Sequence, residues 1–366
     1  MTDLRTLFDA GVAAVGGDTS VATSLTADPV APPDQIIAVG KAATAMARAA
    51  HEVFPETPLL IVTKYHHAEG APAAADVMEA AHPVLDENSI AAGTRVLETV
   101  QNMSADRHLM LLVSGGASAL VEAPADGLSL DDLSSRAQQM LASGADIHAM
   151  NAARMQASRI KGGKLLGAFR GARVTTLAIS DVEGDSLQVI GSGIGAAPVE
   201  PAFTFEARIV ASNAIARAAV CRAATDAGLI VGHDEETLYA DVNAVAPRIA
   251  AALKNASPGV HLFGGEPTVV LPPDPGLGGR NQALALLLAR EIAGAQGLQI
   301  LVAGTDGTDG PTDAAGAIVD GETWEASGQE ALDRADAGRW LDARGALLKT
   351  GPTGTNVMDL VIARKS

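Results

Sequence analysis

Short, largely apolar runs recur along the chain at residues 36–39, 59–62, 109–113 and 174–179, and again at 260–263 and 298–303. None shows the strict alternation of a strand with one wet face. They therefore predict strands covered on both sides of a mostly parallel sheet. Longer stretches between them, at 4–15, 42–53, 90–103, 130–143, 150–166 and 209–227, read as helices. The helix over 90–103 follows Asp86-Glu87, carboxylates suited to the positive end of a helix dipole. Strand alternating with helix is the pattern of an α/β domain, expected here over residues 1–236. A second, smaller α/β domain is expected over 237–366, with helices at 242–254 and 282–293 and strands at 260–263, 268–271 and 298–303. Pro272-Pro273-Asp274-Pro275-Gly276 reads as a rigid turn inside that domain.

Several of the apolar runs end in a distinctive way, in glycines mixed with hydroxyls or acids. The run ending at residue 303 leads into Gly304-Thr305-Asp306-Gly307-Thr308-Asp309-Gly310. Others lead into Ser114-Gly115-Gly116-Ala117-Ser118, Ser180-Asp181 and Gly264-Gly265-Glu266. Ligands of open parallel sheets bind outside the carboxyl ends of the strands, so these endings are expected around a ligand. Ser114, Gly115, Gly116 and Ser118 offer backbone N–H groups and hydroxyls to an anion, or else form a tight turn. The segment is neither a Walker A loop nor a nucleophile elbow, and no dinucleotide fingerprint follows the first strand.

Lys41 falls at a helix start, where a cation is disfavoured unless an anion offsets it. Asp181, Glu183 and Asp185 share one side of an extended segment. With Asp306 and Asp309 they are candidates for a cation or for proton transfer, or form solvated acidic turns. Arg280 offers a planar fork to a carboxylate or phosphate, and Asn281 a helix cap or ligand contact. Lys161 and Lys164 form a basic, glycine-bearing patch near Arg154, and Thr353 lies in a polar, turn-rich segment. The histidines make no metal set.

Composition narrows the partners. A net charge of −17 argues against nucleic acid or an anionic membrane, while leaving room for a phosphate ligand in a locally positive cleft. Cys221 is the one cysteine, so no internal disulfide forms; in its alanine-rich run it is expected to be a small buried hydrophobe. No apolar run approaches the ~20 residues of a membrane span, and residues 1–5 carry no signal-peptide pattern. The expectation is a cytoplasmic protein acting on a small molecule, as a monomer or homodimer.

Taken in order, Val39-Gly40-Lys41-Ala42, His82-Pro83-Val84-Leu85-Asp86-Glu87, the Ser114 segment, Ile160-Lys161-Gly162-Gly163-Lys164-Leu165 and Ser180-Asp181-Val182-Glu183-Gly184-Asp185 carry a family resemblance. So do Gly264-Gly265-Glu266, Gly278-Gly279-Arg280-Asn281-Gln282, the Asp306 loop and Gly351-Pro352-Thr353-Gly354-Thr355-Asn356. They resemble the glycerate kinases that form 2-phosphoglycerate, whose C-terminal part is the MOFRL domain and whose members have been labelled hydroxypyruvate reductases. The resemblance implies a Rossmann-like domain, a cleft against the smaller domain, and phosphorylation of D-glycerate by ATP with Mg2+. Lys41 and Arg280 stand where that family has its functional lysine and arginine. Asp181 is the third catalytic candidate, and Asp181, Asp185 and Asp306 are the candidate Mg2+ ligands. Two stretches depart from the family: Asn151-Ala152-Ala153-Arg154-Met155-Gln156, where a basic residue and a histidine are lost, and Gly191-Ser192-Gly193-Ile194-Gly195, in an expected ligand loop. The rival readings are a nicotinamide-dependent hydroxypyruvate reductase and a non-catalytic binding protein.

Overall fold

The computed structural model describes residues 3–142 and 147–366. The chain divides into two compact units, residues 16–211 and residues 1–15 with 212–366. Helix α1 (Leu4–Ala14) therefore belongs with the C-terminal half. The expected boundary at 236/237 lies about one helix and one strand too late, and the expected first helix is on the wrong side of it.

The 16–211 unit runs α2 (Gly17–Ala27), β1 (Gln35–Val39), α3 (Ala43–Val53), β2 (Leu59–Lys64), β3 (Asp76–Ala80), α4 (Glu87–Gln101) and β4 (His108–Val113). It continues through α5 (Ala117–Leu120), α6 (Leu130–Ala142), α7 (Ile147–Gln156), α8 (Lys164–Gly167), β5 (Arg173–Ile179) and β6 (Thr204–Ala211). All six strands are parallel, in the order β3-β2-β1-β4-β5-β6. Every residue of β4 is buried, as expected for a central strand covered on both faces. Helix α4 starts at a capping box in which Asp86 accepts from the Ser89 N–H and the Ser89 hydroxyl bonds back. Ala92, Val96 and Val100 then return at helical spacing into the core. Gly93 lets α4 lie directly on the backbone of Glu122, where a Cβ would collide.

In the second unit α1 joins α9 (Asn213–Asp226), β7 (Val231–Glu236), α10 (Val242–Asn255), β8 (Gly259–Gly265), α11 (Arg280–Glu291), β9 (Leu298–Gly304) and β10 (Gly316–Asp320). Then come α12 (Ser327–Asp333), α13 (Ala337–Asp342), β11 (Leu347–Leu348) and β12 (Asp359–Lys365). The strand order is β11-β10-β9-β12-β8-β7, with β7–β8 the parallel pair and the other four pairs antiparallel. Residues 281–289 of α11 are all buried, and 284–289 share a core with Val302, Val319 and Val361. On α1, Gly11 leaves room for Val220 of α9 and lies near Leu360 of β12. Asn213 at the start of α9 donates to the carbonyls of Val357 and Asp359, at 3.0 Å each. These contacts place residues 212–236 with the C-terminal sheet.

Other expectations need correcting. Residues 268–271 make no strand; Thr268 forms only an isolated bridge with Asp241. The helix expected over 150–166 is two helices, broken where Gly162 and Gly163 take φ of +63° and +79°. The helix expected over 209–227 begins at Asn213, because residues up to Ala211 complete β6. Residue Ser143, the expected end of one helix, lies outside the described residues. Cys221 is half-exposed, with its Sγ 3.8 Å from an Asp234 oxygen, rather than buried. No helix among the described residues is long and apolar enough to cross a membrane.

The Gly93 contact generates a stability prediction. Gly93→Ala forces α4 away from Glu122 and should lower unfolding free energy by about 1–3 kcal/mol. Urea denaturation of both proteins measures this, and an unchanged midpoint would show that the close approach is unimportant.

Candidate active site

In the 16–211 unit the strand order reverses between β1 and β4, which is where such sheets open a crevice at their carboxyl ends. Gly40-Lys41 follows β1 and Ser114-Gly115-Gly116 follows β4, so two of the expected endings meet there. The Lys41 N–H donates to the Gly115 carbonyl at 2.9 Å, and the Ala42 N–H to Ser114 Oγ at 3.1 Å. Gly40 has φ +131°, and a Cβ on it would strike Ser114. The two turns are thus in backbone contact.

Asp181, after the neighbouring strand β5, brings its carboxylate against Gly115, where a Cβ would collide with it. Gly116, at φ +85°, faces Lys41 Cγ and the His82 ring. Lys41, Ser114, Gly115, Gly116 and Asp181 are therefore one cluster, as the strand endings suggested. Asp185 is placed differently. Gly184 and Asp185 both take left-handed φ, +74° and +53°, so the segment after Asp181 turns instead of extending and the acidic side chains do not share one side.

The two lysines expected to meet an anion are committed elsewhere. Lys161 Nζ lies 2.6 Å from Glu122 Oε2, and both side chains are 3 % exposed. Burial depresses the Lys161 pKa against the opposing pull of Glu122. Lys164 Nζ donates to the carbonyls of Met155 and Ser158 at 2.6 and 2.8 Å, tying down the loop before α8. Both were read from their glycine neighbours, which here shape left-handed turns rather than an anion cradle. Glu122 was missed. Its signal is a lone acid in the apolar run Leu120-Val121-Glu122-Ala123, which implies a buried partner.

Glu122 and Lys161 line a cavity of 870 Å3 that also touches His82, Gly116, Ser118 and Arg154. Glu122 Oε1 is buried and has no hydrogen-bond partner among the described residues. Ser118 Oγ lies 2.8 Å from Ser192 Oγ. Ser192 belongs to the departing 191–195 loop, whose carbonyls at Ser192 and Gly193 accept the Gly162 and Gly163 N–H groups. Ile194 is buried in the core of this unit.

In the second unit Asp359, at the start of β12, sits in register between Gly304 and Gly265. Arg280 donates to it through Nε at 2.6 Å and Nη2 at 3.2 Å, and its Nη1 lies 2.7 Å from Glu266. Burial opposes the Arg280 charge, but Asp359 and Glu266 raise its pKa. Arg280 is therefore an oriented, compensated cation. Asp309 is 4 % exposed and accepts the N–H groups of Asn281 and Gln282 at 3.1 and 2.8 Å, capping α11. The Asn281 side chain is buried in the first turn, and Gly279 holds the cap position. Asp309, expected to contact ligand, thus holds a helix start; Asn281 donates its backbone N–H there, while its side-chain oxygen is buried with no partner among the described residues. Asp306 accepts from the N–H and hydroxyl of Thr308, at 3.0 and 3.1 Å, and Thr353 Oγ1 donates to the Thr305 carbonyl at 2.6 Å.

Comparisons with known proteins cover both units. Residues 3–223 match the model of a domain of unknown function, DUF4147, and residues 259–359 match the MOFRL family. D-glycerate 2-kinase of Thermotoga maritima is 38% identical over 373 residues, covering 89% of each chain. A protein of Agrobacterium vitis named "Putative hydroxypyruvate reductase" is 36% identical, covering 98% of this chain and 92% of its own. The crystal structure of glycerate kinase from Thermotoga maritima superposes with a TM-score of 0.90 at 34% identity, covering 98% of both chains.

The buried charges generate two predictions. Lys161→Met strands the Glu122 carboxylate and should cost about 3–5 kcal/mol, whereas Lys161→Met with Glu122→Leu should recover most of it. Equal losses in urea melts of the single and double variants would contradict this.

For Asp309, burial outweighs its two amide contacts and raises the pKa from 3.8 to about 7. Between those values the folded state keeps a proton that the unfolded chain has released. The contribution of Asp309 to stability is thus full below 3.8 and falls as pH rises to about 7. Unfolding midpoints across that window should therefore decline less in Asp309→Asn than in the parent; parallel curves would refute the assignment.

Proposed function

The chain belongs to the glycerate kinase family that carries a C-terminal MOFRL domain, and from that membership we propose that it transfers the γ-phosphoryl group of ATP to the 2-hydroxyl of D-glycerate. The observation that supports the reading most directly is the meeting of Lys41, the Ser114–Gly116 turn and Asp181 at the strand-order reversal.

The 2-hydroxyl oxygen attacks the γ-phosphorus in line. The bond to the β,γ-bridging oxygen breaks, ADP leaves, and the hydroxyl proton passes to a carboxylate or to solvent. Such transfer needs alignment and charge stabilisation more than covalent help. In this proposal Lys41 supplies a point charge to the transferring group, and the N–H groups of Gly115 and Gly116 supply fixed dipoles. Arg280, in the second unit and held by Asp359 and Glu266, is a candidate for an anionic ligand group in its own right.

Mg2+, when bound, neutralises phosphate charge. Among the described residues no cluster of three or more His, Cys, Asp and Glu side chains is placed to hold a metal. That donor poverty fits Mg2+, which takes one or two carboxylates and completes its shell with phosphate oxygens and water. Asp181, packed on Gly115, is the carboxylate best placed for it in the 16–211 unit. Asp185 and Asp306 are secondary candidates. The reading places the reaction in the cytoplasm, where ATP and small hydroxy acids meet.

The name of the Agrobacterium relative makes the reductase the rival to exclude. Gly40-Lys41-Ala42-Ala43 after β1 lacks the glycine spacing that a dinucleotide pyrophosphate requires. Incubation with ATP, Mg2+ and D-glycerate should yield ADP and 2-phospho-D-glycerate, while hydroxypyruvate with NADH or NADPH should leave the absorbance unchanged. Nicotinamide oxidation without phosphoryl transfer would overturn the reading. Lys41→Ala should lower kcat by about 100-fold or more with an unchanged melting temperature; a parent-like kcat removes Lys41 from the chemistry.

A further inference from the structure

Resting on the kinase reading above, in which Arg280 meets an anionic group, we infer that Asn213, braced by Arg217, is a positioning residue that orients Arg280 through Asp359. The relay starts at the edge of the sheet. Arg217, 7 % exposed, pairs with Asp234 and Glu236 of β7 and donates from Nε to Asn213 Oδ1 at 3.0 Å. Asn213 is fully buried, and its Nδ2 donates to the carbonyls of Val357 and Asp359. Only one orientation of the amide serves all three contacts. Its flip would set Oδ1 against two carbonyls and Nδ2 against a guanidinium. Gly264 of β8 leaves the space, since a Cβ there would overlap Asn213 Oδ1.

The two carbonyls held by Asn213 bracket Met358, whose φ is +68°. A non-glycine residue keeps such a conformation where its surroundings over-determine it. Here the Met358 carbonyl accepts from the Thr305 N–H and hydroxyl at 3.0 and 2.7 Å, and its N–H donates to Asn356 Oδ1 at 3.2 Å. The carbonyls of Val357, Met358 and Asp359 are therefore each fixed. Asp359 follows from that clamp with its side chain 1 % exposed, and takes the Arg280 fork through Nε and Nη2.

The placement of these contacts points to the arginine. β12 is already paired on both sides along Asp359–Lys365, and Asn213 adds to that hold only at the end carrying the partner of Arg280. The other partner, Glu266, leaves the end of β8, two residues beyond the Gly264 on which Asn213 packs. Both acids that aim Arg280 thus spring from backbone that Asn213 touches. A planar fork recognises an anion in one alignment, so a small rotation of it is costly.

The test uses the full chain with ATP, Mg2+ and D-glycerate. Asn213→Ala should lower kcat/KM by roughly tenfold or more. Arg280→Lys should lower it further, and adding Asn213→Ala to Arg280→Lys should change it by at most about threefold, because the first residue acts through the second. Whichever KM rises in Arg280→Lys, that of D-glycerate or of ATP, identifies the anionic group, and the same KM should rise in Asn213→Ala. Val220→Ala empties space on the same helix away from the relay; it should lower the melting temperature while leaving kcat/KM within about twofold of the parent. If Asn213→Ala does not fold, Arg217→Met replaces it in the same cycle. It keeps the apolar stem and leaves Asp234 and Glu236 partly solvated, with an expected loss of about threefold.

A second readout needs no substrate. In protein carrying 15N-labelled arginine, the Arg280 Nε–H signal is identified by its loss in Arg280→Lys. Its solvent exchange should quicken by roughly tenfold in Asn213→Ala and stay as in the parent in Val220→Ala. If the parent makes 2-phospho-D-glycerate but the two losses multiply, or Arg280 exchange is unchanged, the inference is overturned and the kinase reading stands. If the parent makes no product, the kinase reading fails and exchange decides the rest: quickened, Asn213 still positions Arg280; unchanged, both ideas fall.

Discussion

The contact between the turns after β1 and β4 is the constraint on which the candidate site depends. Gly40 can adopt its φ of +131°, and lie against Ser114, because it has no side chain. Ser114 in turn uses its hydroxyl to accept from Ala42, and Gly115 accepts from Lys41. The same bareness at Gly115 admits the Asp181 carboxylate from the third strand. Three chain segments far apart in sequence are thereby held together, two of them through main-chain contact and the third through the Asp181 carboxylate. This rigidity suits a reaction whose barrier is lowered by alignment.

A second theme is how an acidic chain manages its cations. With 26 Lys and Arg against 43 Asp and Glu, partners for a buried positive charge are plentiful. Lys161 is matched by Glu122, Arg217 by Asp234 and Glu236, and Arg280 by Asp359 and Glu266. Positive side chains that looked available for phosphate are thus partly neutralised in place. In the proposed reaction, oriented N–H groups and Mg2+ would gain correspondingly in importance as sources of attraction for the donor phosphates.

The same physics decides how much was legible in the sequence. The strands at 36–39, 109–113 and 174–179 were visible because both faces are buried and every position is therefore apolar or nearly so. Strand β7, reading Val-Gly-His-Asp-Glu-Glu, was not, since it edges its sheet and its acids pair with Arg217 or face solvent. Strand β12 was hidden by its position after a turn-rich segment. The cluster at Lys41, Ser114 and Asp181 was readable because glycines mark strand ends where backbones approach. The structural partners of Lys161 and Asp309 were not legible, because local spacing says nothing about a partner tens of residues away. Glu122 for Lys161 and the Asp309 carboxylate for the α11 N–H groups are both tertiary facts.

The assignment of α1 to the C-terminal unit has a consequence for biosynthesis. This helix is translated well before the residues it packs against, such as Val220 and Leu360. At about 5–20 residues per second, Leu360 follows it after a delay on the order of tens of seconds. The 16–211 segment is continuous and meanwhile has all its strands in hand. A nascent chain would therefore carry α1 with its apolar face, Leu4, Leu7 and Phe8, still uncovered until α9 and β12 have emerged.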